Sequence, residues 1–425
     1  MAPMTRKLVD DCFVPTAPRL SHAMALALLK DRTRAIAEIE TVAAAQGLGR
    51  NLAVQVKAQS AVPNHTNAAV DGYAFLHAAY DASAGSTLPV SGRAAAGRAL
   101  EGTPRPGHAV RIFTGAALPS GVDTVAMQED CTLDAEGRVA IPGGLKVRAN
   151  VRRAGEDVAE GIVLFEPGHR LRPQDLAALA SIGRADVQVF KRLRVGILST
   201  GDEVIAPGQP LKPGQVYDAN TPLLTGLLAT QGVETIPLGI AADDPTSLDA
   251  RLIEATRRVD VLLTSGGASM GEEDHMVSAF ERLGKRHLWQ LAIKPGRPMS
   301  FGQIGDTVTV GLPGNPVAVF VCFLMYVAPL LRQLGGGHWR EPRRYMLPAA
   351  FDFTGRKPGR REFWRGMLID GPQGTMVDKF ARDGSGLISG LRAADGLIDI
   401  PEDHGDVRKG ERVAFIPLSE FGILS

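Results

Sequence analysis

Apolar side chains recur at helical spacing over residues 20–30, where Leu20, Met24, Ala25, Leu26, Leu28 and Leu29 mark one face. Ser21 stands where a helix cap would, so the pattern predicts an amphipathic helix. A loop with Pro63, Asn64, His65 and Asn67 follows. Between 56 and 150 the helical period is lost, and short Val/Ile runs at 109–113 and 124–127 sit among Gly and Pro, which predicts a small β domain. Helical spacing returns at 173–183. The N-terminal helix is expected to pack on this returning segment, with the β domain inserted between them.

From 193 to 335 strand-like and helical stretches alternate. Strands are predicted at 193–199, 234–241, 259–264, 289–293 and 307–311, and helices at 221–231, 247–258 and 317–331. Asn220 is the expected cap of the first of these helices, Pro222 suits its first turn and Gly232 its end. Such alternation predicts a doubly wound, mostly parallel α/β sheet. After 343 the period changes again, and strands are predicted near 364–369, 397–400 and 412–417, a small terminal β domain. The expected division is therefore a linking domain of 1–55 plus 151–190, an inserted β domain of 56–150, an α/β domain of 191–335 and a terminal β domain of 336–425.

The most apolar run, 317–331, is too short for the roughly 20 residues that span a bilayer, and Pro329 interrupts it. It reads as a buried helix, and no membrane partner is expected. Lys and Arg total 47 against 46 Asp and Glu, a net charge of +1, and aromatics are only 5%. Neither a basic footprint nor a base-stacking surface is present at that balance, so no nucleic-acid partner is expected. Cys12, Cys131 and Cys322 lie far apart and form no Cys-x-x-Cys pair, which suits a reducing cytoplasm. No apolar h-region follows the N-terminal charges, so no signal peptide is expected and the localisation reads as cytoplasmic.

In open α/β sheets ligands bind beyond the carboxyl ends of the strands. Those positions hold Thr200-Gly201-Asp202-Glu203, Asp243-Asp244-Pro245, a run from Ser265-Gly266-Gly267 to Asp274, Lys294-Pro295-Gly296-Arg297-Pro298 and Gly311-Leu312-Pro313-Gly314-Asn315-Pro316. Ser265, Gly266 and Gly267 let backbone N–H groups approach an anion. Asn315-Pro316 opens the apolar helix, whose N-terminus also favours an anion. Lys294 and Arg297 add positive charge. Glu203, Asp243 and Asp274 are hard oxygen donors suited to Mg²⁺. Read together, these residues predict a site for phosphate plus a divalent metal. The chain lacks a Gly-x-Gly-x-x-Gly fingerprint, a phosphate loop of the Gly-Lys-Ser/Thr type, a Gly-x-Ser-x-Gly elbow and a His-Glu-x-x-His helix.

In combination the motifs resemble the molybdopterin molybdenumtransferases, the family of MoeA and the C-terminal domain of gephyrin. They are Asp71-Gly72-Tyr73-Ala74, Ile112-Phe113-Thr114-Gly115-Ala116, Arg152-Arg153-Ala154-Gly155-Glu156-Asp157, Leu198-Ser199-Thr200-Gly201-Asp202-Glu203, Ser265-Gly266-Gly267 through Asp274, Ala292-Ile293-Lys294-Pro295-Gly296 and the 311–316 run. The resemblance covers nearly the whole chain. It implies an elongated homodimer of four-domain subunits, with a β barrel as the last domain and a cleft between the α/β domain of one subunit and the β domain of the other. The implied reaction takes adenylylated molybdopterin and molybdate, requires a divalent cation, releases AMP and leaves molybdenum on the dithiolene.

On matching positions, the resemblance implies catalytic roles for Asp71, Thr114, Glu203, Asp243, Asp274 and Lys294. It implies substrate-binding roles for Arg152, Asp157, Ser265, Gly266, Gly267, Arg297, Pro313, Asn315 and Ser385. Glu203, Asp243 and Asp274 would hold Mg²⁺. Gln290 stands where the family often has a second Lys, Arg297 where it has Lys, and Asn67-Ala68-Ala69-Val70 lacks a family hydroxyl. A scaffold that binds the cofactor precursor without turnover and a molybdopterin adenylyltransferase are the alternative readings.

Overall fold

The computed structural model describes residues 19–266, 275–372 and 374–423. Its centre is a six-stranded sheet in the order 234–241, 194–200, 261–265, 307–312, 298–304, 285–290. The first four strands run parallel, and the last two form antiparallel pairs. Alternation along each strand feeds two cores. Val195, Ile197, Val261 and Leu263 face the layer of the helices Asn220–Ala229 and Pro316–Leu334, while Leu198 and Leu262 face the layer of Pro245–Thr256 and His275–Leu283.

Asp244 caps Pro245–Thr256 by accepting from the Ser247 N–H at 2.8 Å. The expected cap at Asn220 is corrected. Asp218 accepts the N–H groups of Asn220 and Thr221 at 3.0 Å, which frees the Asn220 side chain for another task. The strand expected at 289–293 is also shifted. Lys285–Gln290 pairs with Pro298–Ile304, a strand the periodicity did not reveal, and Ile293–Lys294 joins the terminal sheet instead. Pro298 starts its strand and Gly302 and Gln303 interrupt its alternation, so that segment carries a weak strand signal.

The helix Pro316–Leu334 is long and apolar enough to cross a membrane by composition, but 89% of that span is buried inside the protein. Its apolarity is used by the core. A π-helical stretch at Phe323–Val327 precedes Pro329, and the helix continues through the proline rather than breaking.

The N-terminal helix His22–Arg32 does not pack on the returning segment. Leu20, Ala25, Leu26 and Leu29 enter the α/β core, and Leu20 is held by backbone bonds to Gln290 and Ala292. That core offers a larger apolar face than the returning segment does. The returning segment instead pairs with the chain after the helix. Ile39–Ala43 runs antiparallel to Asp186–Phe190, and Val56–Lys57 to Val163–Phe165, over a core of Leu52, Phe165, Leu171, Leu179 and Val189.

Residues 72–141 form another six-stranded sheet, in the order 124–127, 72–75, 109–112, 86–94, 138–141, 132–133. Gly72 lies between two neighbours so close that a Cβ there would meet the Ala126 carbonyl oxygen at 1.8 Å. The terminal sheet follows the order 293–294, 361–371, 396–400, 412–417, 345–348, with 374–379 pairing to 361–371. Its first strand comes from the α/β region, so the two regions are stitched together beside Lys294.

Candidate active site

A cleft of about 610 Å³ opens where the α/β sheet meets the terminal sheet. Lys294, Pro313, Asn315 and Ser385, separated by up to 91 positions (385 − 294) in the sequence, share its wall. Each reaches it for a local reason. Lys294 sits on the strand that pairs with Arg361–Glu362. Its Nζ lies 3.4 Å from Glu362, a carboxylate buried beside Trp364, whose indole N–H donates to it at 2.8 Å. Asn315 occupies the N-cap of the long helix, but its side chain makes no cap bond. The Val317 N–H donates to the Ser385 carbonyl at 3.1 Å, so a loop of the terminal region docks on the helix's first turn. The positive end of that helix and Lys294 converge on the cleft, an environment suited to an anion.

Ser265 and Gly266 stand at the next strand end. Asn220, released from capping, donates to Ser265 Oγ and to the Gly314 carbonyl, both at 2.7 Å, and so ties the 265 turn to the 313–315 wall. Gly266 has φ +93°, and a Cβ there would meet the Thr200 carbonyl oxygen at 2.6 Å. Only glycine allows this turn without displacing the backbone. Gly267 and Asp274 lie outside the described residues. Asp202 and Asp243 are neighbours across two strand ends, the Asp243 N–H donating to the Asp202 carboxylate at 3.0 Å. The Glu203 carboxylate folds back over Gly201. Among the described residues no group of three or more His, Cys, Asp or Glu is gathered for a metal, although Asp202, Glu203 and Asp243 supply the hard oxygen donors Mg²⁺ prefers. Arg297 is exposed and does not line the cleft.

A second cluster forms in the 72–141 region. The Asp71 carboxylate accepts from the Thr114 N–H at 2.8 Å and from its hydroxyl at 2.7 Å. The backbone bond first, then the hydroxyl, hold this exposed carboxyl below its ordinary range, so it stays ionised. Arg152 pairs with Asn67 on a short antiparallel ladder, and Ala68 beside it bonds to Gly115 and Ala116. Asp157 follows on a turn anchored to Val62. Arg152 and Thr114 thus sit at the two ends of the stretch 67–71, against Asn67 and Asp71. Among the described residues, no hydrogen bond connects this cluster to the Lys294 cleft.

Sequence reasoning missed Glu362, Arg365, Lys379 and Asp383. Glu362 holds Lys294. Arg365 donates to the carbonyls of Gly384 and Arg382 and so shapes the Ser385 loop. Lys379 pairs with Asp383 at 2.5 Å and lies over the Phe353 and Trp364 rings. The available signal was the alternation of charge and aromatic in Arg361-Glu362-Phe363-Trp364-Arg365, a strand with ionised groups on its buried positions.

Comparison with known proteins gives the chain a family. Residues 20–183 match the MoeA N-terminal region (domains I and II), 196–333 a probable molybdopterin-binding domain, and 346–418 the MoeA C-terminal region (domain IV). Molybdopterin molybdenumtransferase of Haemophilus influenzae is 38% identical over 360 residues, 84% of this chain and 88% of that protein. The chain belongs to the molybdopterin molybdenumtransferase family. The Bacillus subtilis molybdopterin molybdenumtransferase is 33% identical and matches over 90% of both chains. The solved MoeA molybdopterin biosynthesis protein of Pyrococcus horikosii superposes with a TM-score of 0.79 at 31% identity, covering 94% of this chain and 99% of that one. Gephyrin of Dictyostelium discoideum is 28% identical over 89% of this chain and 59% of its own length. The family resemblance of the sequence motifs is therefore correct.

Proposed function

We propose that this chain is a molybdopterin molybdenumtransferase of molybdenum cofactor biosynthesis, which takes adenylylated molybdopterin and molybdate, releases AMP and leaves molybdenum on the dithiolene. The single observation that carries this reading is the convergence of Lys294, Asn315 and Ser385 on one anion-suited cleft in a chain of this family. Phosphates and molybdate are anions. Breaking the phosphoanhydride that joins AMP to molybdopterin calls for positioning and charge neutralisation more than for a covalent nucleophile. Lys294, fixed by Glu362, places a cation against the phosphates. The helix N-terminus beside Asn315 supplies aligned backbone dipoles to the same anion.

The assigned cofactor is Mg²⁺, held by Glu203 and Asp243 with Asp274, and when bound it would offset phosphate charge. Asp71, kept ionised by Thr114, and Arg152 act from the 72–141 face. Since the two clusters share no hydrogen bond within the described chain, the reading places them in one site through a homodimer. The β face of one subunit then covers the cleft of its partner. Each subunit is assigned four domains ending in a β barrel, and the enzyme is assigned to the cytoplasm.

The test mixes purified protein with adenylylated molybdopterin, Mg²⁺ and molybdate and follows AMP against a control without molybdate. Molybdate-dependent AMP release with formation of active cofactor is the expected result. Tight binding with no AMP release under molybdate or tungstate contradicts turnover and leaves a carrier.

A further inference from the structure

A second cavity, of about 400 Å³, lies away from the cleft, where the 48–49 and 170–173 segments meet the end of the helix Asn220–Ala229, the long helix and the 340–342 and 420–422 segments. Its polar wall is unusual. Arg170 and Arg332 both line it, and neither forms an ion pair with a carboxylate among the described residues. Arg332 Nε is fully buried with no hydrogen-bond partner. Arg170 makes one long bond, 3.4 Å, to the Thr230 carbonyl at the helix end. A helix C-terminus welcomes a cation, but one long bond satisfies little of a guanidinium with five donors.

The other charges on this wall are Arg172, Arg340, Glu341 and Glu420, and Glu341 lies 4.0 Å from Arg344. Arg340 is paired with Glu420 at 3.2 Å, and Arg172 with Asp175 at 3.0 Å. Burial first, and then the charges of Arg170 and Arg340, push the Arg332 pKa below its ordinary value. Burial does the same to Arg170. Two half-buried cations with no counter-ion cost stability unless an anion joins them. Leu324, Pro329 and Phe421 give the cavity an apolar side, with Thr230 and Gln231 as its neutral polar groups. The volume falls in the range of small-molecule pockets, larger than a bare oxyanion needs.

We propose that this cavity binds a phosphate-bearing small molecule, its phosphate held between Arg170 and Arg332 and its organic part against the apolar wall. Guanidinium groups match phosphate oxygens bidentately, and the cavity's own carboxylates, Glu341 and Glu420, are paired with Arg344 and Arg340, which is why two guanidinium groups left without a carboxylate partner among the described residues point to this ligand class. The site is separate from the Lys294 cleft and does not depend on the reaction assigned there.

The test uses the full-length protein in phosphate-free buffer, titrated with inorganic phosphate, AMP and molybdate by calorimetry and thermal melting. Phosphate and AMP are expected to bind saturably and raise the melting temperature, AMP at lower concentration than phosphate. Lys294→Ala keeps this effect, which separates it from the cleft. Arg332→Ala weakens binding by about tenfold or more, as loss of a charge-assisted contact does. In ligand-free buffer the same variant melts no lower than the parent, because it loses an unpaired charge. Arg332→Lys gives an intermediate affinity. The proposal is overturned if Arg170→Ala and Arg332→Ala respond to phosphate and AMP as the parent does. It is also overturned if molybdate alone binds, or if Arg332→Ala melts lower without ligand and the parent binds none. Loss of a dimer on light scattering of Arg332→Ala overturns it as well, and assigns the arginines to carboxylates of a second copy. Molybdenum insertion by Arg332→Ala stays at the parent level in the expected case, so failure here and failure of the transferase reading are distinguishable.

Discussion

The Lys294 cleft and the Asp71 cluster are built in opposite ways. In the cleft, the working groups are fixed from below. Glu362, buried at 3% exposure, holds Lys294, and Asn220, at 9%, holds both Ser265 and Gly314. Beside the 72–141 sheet the Asp71 carboxylate and Thr114 bond each other at the surface, and the Asp71 backbone carbonyl accepts from the Gln128 N–H at 3.0 Å. The first arrangement is a preorganised pocket, where donors are aimed before a ligand arrives. The second is a surface pair held by its own two residues. The difference teaches that charge in one chain can be positioned by a buried core or by a surface neighbour, and that the two should respond differently to substitution.

The largest effect is expected at Lys294. Lys294→Ala should lower kcat/KM for AMP release by roughly 100- to 1,000-fold, the scale of removing one preorganised electrostatic contact. A drop of less than about tenfold would move the anion site elsewhere. Asp71→Ala should cost roughly 100-fold in the same assay while the melting temperature stays within a degree or two, because surface substitutions usually change stability by less than about 0.5 kcal/mol. A large loss of stability would show that Asp71 is structural and erase the contrast between the regions.

Acid should expose the same contrast. His22 lies in the core beneath the cleft, its Nδ1 2.8 Å from the Tyr326 hydroxyl. Burial, reinforced by Arg361, lowers its pKa to about 3. Its folded pKa lies below the unfolded value near 6.5, so its contribution is complete above that pH. Stability is then lost as pH falls from about 6.5 toward 3, with a slope approaching ~1.4 kcal/mol per unit. Urea unfolding across that range should show the slope in the parent and its loss in His22→Phe. Asp71 should behave differently. Held below the ordinary carboxylate range by Thr114, it stays ionised as pH falls, and Thr114→Val should shift the acidic limb of the activity profile upward. The smallest effect is expected at Gln290, which pairs with Pro298 at the sheet edge. Gln290→Lys should change AMP release by less than about tenfold, the value of one exposed charge.

Much of the fold was legible because burial follows period. The strand at 412–417 and the helix after Asp244 stand where alternation and capping put them. Pro298–Ile304 was not legible, because Pro at its start and Gly302 and Gln303 inside mask its alternation. The packing of His22–Arg32 was not legible either. An apolar stripe says that a helix is buried, not against which core, and Leu20 finds its partners at Gln290 and Ala292. At the site, motifs at strand ends pointed to Lys294, Asn315 and Ser265 because sheet topology places those ends together. Glu362 escaped notice because its contribution depends on a pairing between residues 68 positions apart, 362 against 294, and Arg365 because it acts by donating to the carbonyls of Gly384 and Arg382. Arg297 drew notice for its charge and its place in a motif, yet its side chain does not reach the cleft.

The most direct test of this account mixes two inactive proteins. Lys294→Ala spoils the cleft and Asp71→Ala spoils the opposite face. Each alone should release little AMP. If the site joins the cleft of one subunit to the 72–141 face of another, mixed dimers carry one intact site, and co-expressed or exchanged subunits should regain molybdate-dependent AMP release to about a quarter of the parent level, the share expected from random pairing. Mixed dimers confirmed by mass that remain as inactive as either variant would contradict the two-region site.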